Sequence, residues 1–121
     1  MAHNETGASV RRLIISVEEL DSALAFYADV LGLALARRSE GFASLSTADE
    51  IEVLLHERPT APSDSSVAAA FAVDRLDDMV AEWASRGGTV IDEPAIQPWG
   101  ERMAVVRDAD GHVVCLCERE A

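Results

Sequence analysis

The sequence predicts an α+β fold in which two βαβββ modules follow each other in one chain. Two stretches, LIISVEELDSALAFYADVLGLAL and AAAFAVDRLDDMVAEWASRGGTV, share the order of an apolar run, an acidic turn, an amphipathic segment and a glycine. Their residues keep an offset of 56 positions, so that Leu20 and Asp21 recur as Leu76 and Asp77. Three short strand-like runs follow each stretch. Two such modules are expected to form curved mixed sheets around a cavity, with the helices on the outer face.

In the first module, an apolar strand at 13–17 precedes a helix that Gly32 is placed to end. The helix is predicted from apolar residues at helical spacing, which are Ala23, Phe26, Tyr27, Val30 and Leu31. Strands are predicted next at 33–38, 42–47 and 51–57. The first module therefore spans about 10–58.

The second module repeats this order over about 67–119. Its helix is marked by the apolar residues Leu76, Met79, Val80 and Trp83, and it ends at the glycine pair 87–88. Because Trp83 belongs to this apolar stripe, we interpret it as a core residue and not as a platform for a cofactor. Strands follow at 89–91 with a proline-marked continuation, at 101–107 and at 112–117. The residues DADG at 108–111 predict a hairpin turn between the last two strands, which leaves His112 at the surface.

The segment between the modules, RPTAPSDSSV, is rich in proline and serine and predicts a linker at 59–66. Residues 1–9 are polar and are expected to form a flexible N-terminus, and 10–121 are expected to form a single domain. No stretch is long and apolar enough for a signal peptide or a membrane span. We therefore expect a cytoplasmic protein with no membrane partner.

The charge of the chain excludes some functions and leaves two interpretations open. Its 121 residues include 22 acidic and 10 basic ones, for a net charge of −12, which repels a nucleic-acid backbone. Every basic residue is arginine, so chemistry that requires lysine is excluded. The acidity either keeps the protein soluble or raises the local concentration of a cationic ligand.

Cys115 and Cys117 are the two cysteines of the chain, and they lie in one predicted strand. Residues two apart in a strand share a face, and their parallel Cβ directions suit a disulfide poorly. We therefore predict two free thiols.

Three segments carry a resemblance to a known superfamily: VEELDSALAFYADVLGL, VDRLDDMVAEWASRGG and QPWGERMAVVRDADGH. With these segments the chain resembles, over nearly its whole length, the vicinal oxygen chelate superfamily. That superfamily includes glyoxalase I, extradiol dioxygenases, fosfomycin-resistance enzymes and bleomycin-resistance proteins. The chain looks nearest to the last group, the metal-free bleomycin-resistance binding proteins.

The resemblance implies a metal site at four positions in the metal-dependent members. Carried onto this chain, the positions are Arg12, Leu54, Ala68 and Cys115. Arginine stays protonated, and leucine and alanine have no donor atoms, so the inherited site is dismantled and neither a metal nor another cofactor is expected. A rebuilt site is the alternative, because the four donors Glu52, His56, Cys115 and Cys117 could together suit zinc. Their spacing is unlike a zinc motif, and the competing interpretation is a satisfied histidine with two small packing residues.

The first functional hypothesis is a metal-free binding protein, a homodimer that sequesters an aromatic or cationic natural product as antibiotic-resistance relatives do. Its ligand-binding residues are predicted to be Arg12, Glu52, His56, Trp99, Met103 and Cys115. Trp99, in the loop QPWGE, is interpreted as a stacking platform or as a lid over a strand edge. Arg12 offers a fork to a carboxylate or phenolate, or it forms a salt bridge with Glu52. The sequence leaves open whether the modules pair within one chain or across the dimer.

The second hypothesis is an enzyme of the same glyoxalase and dioxygenase superfamily, acting as an isomerase, a lyase or a ring-forming enzyme. Without a metal it would use His56 and Glu52 as its general acid and base. A third hypothesis is an interaction domain without a ligand.

Overall fold

The computed structural model describes residues 6–119 and contains two four-stranded mixed sheets. The first module comprises β1 (Arg12–Val17), α1 (Leu20–Leu24) with a π-helical extension (Ala25–Val30), β2 (Ala34–Ser39), β3 (Phe42–Ser46) and β4 (Glu52–Glu57). The second module comprises β5 (Ala69–Val73), α2 (Leu76–Ser85), β6 (Thr89–Ile96), β7 (Arg102–Arg107) and β8 (Val113–Glu118). The strand orders are β1-β4-β3-β2 and β5-β8-β7-β6, with the first pair of each sheet parallel. The predicted α+β fold of two βαβββ modules is confirmed.

The ends of the chain are described only in part. Of the predicted N-terminal segment 1–9, residues 1–5 lie outside the described residues, and 6–9 belong to no helix or strand. None of the helices described is long and apolar enough to cross a membrane.

The first helix differs from the plain α-helix that the sequence predicts. After α1 the backbone widens, and the amide of Leu31 bonds the carbonyl of Phe26 at 2.9 Å, which is the i to i+5 pattern of a π-helix. The apolar spacing cannot distinguish this pattern from an α-helix, because both bury Phe26, Tyr27 and Val30. Gly32 has φ +76 and ends the helix as predicted.

The core lies between the helices and one face of the sheets. Trp83 is fully buried, its ring centroid is 4.7 Å from that of Phe26, and its Nε1 donates to the carbonyl oxygen of Arg107 at 2.7 Å. The interpretation of Trp83 as a core residue is therefore confirmed.

The hairpin between β7 and β8 ties the second module to the first helix. The amide of Gly111 bonds the carbonyl of Asp108 at 3.0 Å and Gly111 has φ +82, which confirms the predicted turn. The buried carboxylate of Asp108 accepts the amides of Asp110 and His112 through Oδ1 and the hydroxyl of Tyr27 through Oδ2, at 2.6 Å. Burial, and then the charge of Asp108, raises the pKa of Tyr27 well above its usual value. The hydroxyl therefore stays protonated and donates a hydrogen bond to the other module.

His112 makes a second tie, and the prediction that it is surface-exposed is wrong. It is half-buried, and its Nδ1 lies 3.2 Å from the amide of Ser63 in the linker. Since an amide can only donate, Nδ1 accepts, and Nε2 therefore carries the proton and donates to the carbonyl of Ser16 at 2.7 Å. In this structure the two modules pair within one chain.

The sheet faces turned away from the helices form what we call the open face. In β4, Val53 and Leu55 are fully buried in the core, so Glu52, Leu54 and His56 lie on the open face. The same alternation in β8 places Cys115 and Cys117 on the open face, and both are free thiols, as predicted.

Candidate functional site

The open face of the first sheet carries a bonded group of three polar side chains. The strand register pairs Arg12 with Glu52, and the Nε of Arg12 donates to Oε1 of Glu52 at 2.6 Å. The hydroxyl of Ser44 donates to Oε2 of the same carboxylate, also at 2.6 Å. These bonds, that of Ser44 first, lower the pKa of Glu52. Of the two roles weighed for Arg12, the salt bridge with Glu52 is present.

His56 does not join this group. It is exposed, its side chain makes no hydrogen bond to another residue of the described chain, and in the register it neighbours Ser16 and Phe42. His56 lies four positions after Glu52 in the extended strand, so at about 3.3 Å per residue the two residues are about 13 Å apart. The structure therefore does not assemble His56 and Glu52 into an acid and base pair.

Two rows on the open face of the second sheet are apolar. These neighbouring rows are formed by Ala70, Cys115 and Val105 and by Ala72, Cys117 and Met103. Burial raises the pKa of both thiols, and with the added influence of Glu101 the pKa of Cys117 reaches about 11. Both thiols are therefore protonated at neutral pH, which makes them poor nucleophiles and poor metal ligands.

The four positions inherited from the metal-dependent relatives do not fit a divalent metal. Leu54 neighbours Ile14 in the register, and Cys115 neighbours Ala70, so apolar groups surround the only possible donor. The alternative donors Glu52 and His56 lie on the first sheet, whereas Cys115 and Cys117 lie on the second. Within residues 6–119, no three histidine, cysteine, aspartate or glutamate side chains are grouped so as to hold a metal ion.

Trp99 lies at the tip of a tight turn between β6 and β7. The amide of Gly100 bonds the carbonyl of Gln97 at 2.8 Å, and the amide of Gln97 bonds the carbonyl of Glu101 at 2.8 Å. The indole is 64% exposed, and its Nε1 donates to Oε1 of Glu101 at 3.1 Å. The turn therefore presents the ring to solvent in a fixed orientation, and the platform role of Trp99 stays a prediction.

A cavity of about 450 Å³ lies between β1 and β5, and we call it the slot cavity. Residues from both modules and from the linker line it, among them Arg12, Ile14, Ser16, Ser63, Ala68 and His112. Of the residues predicted to bind a ligand, the slot cavity includes Arg12. Cys117 lines a separate cavity of about 650 Å³ beside Glu101. The other five residues predicted to bind a ligand line neither of these two cavities; they are Glu52, His56, Trp99, Met103 and Cys115.

Sequence reasoning missed the contribution of Ser63 and His112 to the slot cavity. Ser63 accepts the amide of Val113 at 2.9 Å through its hydroxyl, in addition to its bond to His112. The proline and serine content of the linker predicts a loop, but composition carries no signal for these contacts, which join residues 49 and 50 positions apart.

Comparison with known proteins gives the same architecture. The profile of the Glyoxalase/Bleomycin resistance protein/Dioxygenase superfamily matches residues 9–116. No curated protein matches the chain significantly.

Among solved structures, a glyoxalase-related enzyme from Fulvimarina pelagi has 18% identity and a TM-score of 0.78, covering 92% of this chain and 88% of the other. A glyoxalase/bleomycin resistance protein/dioxygenase family enzyme from Burkholderia phytofirmans PsJN has 19% identity and a TM-score of 0.78, over 92% and 98%. A lactoylglutathione lyase from Agrobacterium tumefaciens has 22% identity and a TM-score of 0.71, over 94% and 96%. At these identities the structures show a shared fold. Together with the profile match over most of its length, this means that the chain belongs to the Glyoxalase/Bleomycin resistance protein/Dioxygenase superfamily.

Proposed function

We propose that this protein is a metal-free binding protein that sequesters a small, largely apolar or aromatic natural product, as resistance proteins of the superfamily do. One observation carries the proposal: Ile14, in the edge strand β1, is 58% exposed on the open face, where it neighbours Leu54 and lines the slot cavity. Val67, which is 86% exposed, lines the same cavity, and a group of exposed apolar side chains beside a cavity is typical of a surface that a ligand covers.

The chemistry of the surrounding residues supports binding without a metal. Arg12, Leu54 and Ala68 offer no metal donor, and the raised pKa of Cys115 keeps its thiol protonated. A surface of this kind holds a ligand through apolar contact and a few hydrogen bonds.

An acid and base enzyme receives less support. The carboxylate of Glu52 is already bonded by Arg12 and Ser44, which favours its charged form, and His56 lies about 13 Å along the strand. Proton transfer through a shared substrate atom requires both groups within hydrogen-bond reach of it.

The proposal is tested by titrating a panel of natural products against the purified protein and following tryptophan fluorescence. Elemental analysis of the same preparation is expected to find no stoichiometric divalent metal. A natural product that binds the wild type should lose at least about tenfold in affinity for Ile14→Asp, since a carboxylate on the open face repels apolar surface.

The matched control is Ile91→Asp, because Ile91 is also an exposed isoleucine, at 44%, but lies in β6, away from the slot cavity. This variant should bind the same compound as tightly as the wild type. One equivalent of zinc, iron or manganese, or equal binding by the Ile14 variant, would contradict the proposal.

A further inference from the structure

We infer that the slot cavity selects a small organic anion, such as an aromatic carboxylate or phenolate, which the terminal nitrogens of Arg12 hold. The inference rests on the proposed function, because it names the chemical class of ligand for the same open face. Three features of the slot cavity support it: the orientation of one guanidinium, the charges of the lining, and the arrangement of the apolar residues.

The guanidinium of Arg12 is fixed on one side and available on the other. Its Nε donates to Glu52 at 2.6 Å, and Glu52 is held in turn by Ser44. Neither terminal nitrogen of Arg12 donates a hydrogen bond to another residue of the described chain, and the side chain is 35% exposed. A planar fork that is oriented through Nε and keeps both terminal nitrogens available matches the two oxygens of a carboxylate.

The charge around Arg12 remains positive despite Glu52. Arg11 brings a second guanidinium, with its Nη1 at 3.9 Å from Oε1 of Glu52, so two positive charges surround one negative charge. An arriving anion therefore meets a site at which the carboxylate of Glu52 is already compensated.

No aspartate or glutamate of residues 6–119 lines the slot cavity, although the chain has 22 acidic residues. The polar groups of its lining are Arg12, His112 and hydroxyl groups, and both ring nitrogens of His112 are already bonded within the chain. Other cavities differ, since Glu18, Glu19 and Asp110 line one of them and Glu101 and Glu118 line another. The expectation of a cationic ligand rests on the net charge alone, and the slot cavity has the opposite local charge.

Beside Arg12, apolar residues from both modules line the slot cavity. Ile14 belongs to β1, and Val67 and Ala68 lie immediately before β5. A volume of about 450 Å³ accommodates a molecule of one or two aromatic rings. The ligand is therefore expected to place its anionic group on Arg12 and its rings against Ile14 and Val67.

The test uses three probes that share one ring system and differ in charge: 2-naphthoate, 2-naphthamide and 2-naphthamidine. Binding is followed by chemical-shift changes in ¹⁵N-labelled full-length protein, which also show whether each variant is folded. The wild type is expected to prefer naphthoate over naphthamide by about tenfold or more and to bind naphthamidine most weakly, because hydrogen bonds to charged groups are worth roughly 1.5 to 3 kcal/mol.

Arg12→Gln should abolish the preference for naphthoate. The matched control is Arg38→Gln, which removes the same charge from the same sheet, where Arg38 pairs with Asp21 and does not line the slot cavity. It should keep the preference, and the shifts induced by naphthoate should map to β1, the linker and the start of β8.

Each outcome bears on one proposal. Equal or stronger binding of naphthamide or naphthamidine, or a naphthoate preference that survives in Arg12→Gln, overturns the anion inference. In that case the proposed binding function still stands if Ile14→Asp weakens all three probes. If no probe binds the wild type, the anion inference is also overturned. If Ile14→Asp leaves every probe bound as before, the proposed function itself fails.

Discussion

Cys117 shows how neighbours set the chemistry of a single side chain. Burial is the largest influence on its thiol, and Glu101 adds both a negative charge and a hydrogen-bond acceptor. Each of these favours the protonated form, so the pKa of Cys117 rises from 9.0 to about 11. A residue that could be taken for a reactive thiol is thereby kept inert at neutral pH.

We predict that Cys117 reacts slowly with a maleimide at pH 7 and that its rate rises with a midpoint near pH 11. The measurement uses a Cys115→Ser background, so that the reaction observed is that of Cys117. Glu101→Gln should lower the midpoint, because it removes the repelling charge. Since the pKa in the folded state lies above that of the unfolded chain, stability from this group is complete below about pH 9 and is lost as the pH rises towards 11. A midpoint near 9 in the wild type would contradict the prediction.

Gly88, in the connection between α2 and β6, lies where α2 and the first helix approach closely. A Cβ atom on Gly88 would lie 2.3 Å from Cδ1 of Trp83 and 2.9 Å from Cε1 of Phe26. Both rings are fixed in the core, so neither can move aside cheaply. The glycine therefore allows the first helix, the second helix and β6 to meet.

Gly88→Ala is expected to lower the free energy of unfolding by about 3 kcal/mol, because it overpacks the core. Gly87→Ala is the comparison: Gly87 has φ +91 but open space around it, so backbone strain alone should cost about 1 kcal/mol. Urea denaturation of both variants measures the difference. A Gly88 variant no less stable than the Gly87 variant would show that the rings do move aside.

At the scale of elements, the sequence predicts most of the fold, and the reason can be seen in particular residues. The strand period predicts which residues of β4 and of β8 share a face, and in the structure Glu52 and Cys115 both lie on the open face, because strand period depends on local geometry alone. The π-helical segment after α1 and the bonds of His112 escape prediction. The π-helical segment depends on the size of the hydrogen-bonded turn, which apolar spacing does not encode. The bond of His112 joins it to Ser16 across 96 positions.

At the scale of the whole molecule, we predict a homodimer, although the modules already pair within one chain. Large apolar side chains remain exposed on β6 and the turn that follows it, with Ile96 at 68% and Trp99 at 64%. An obligate dimer is expected to bury roughly 2,000 Å² or more in total. Light scattering at micromolar concentration should therefore give twice the mass of the chain, which is 13.0 kDa. A monomer at that concentration would contradict the prediction.

The hairpin at 107–112 has a consequence for how related sequences are compared. Both carboxylate oxygens of Asp108 and both ring nitrogens of His112 are already bonded, to the first helix, the first strand, the linker and the turn itself. Substitution there is constrained by the integrity of the architecture, whatever molecule the open face receives. We therefore expect a match to RDADGH to report on the architecture and not on the ligand. Divergence in activity among proteins that share it is expected at positions such as 14, 54 and 115, where the side chains lie on the open face and make no hydrogen bond to another described residue.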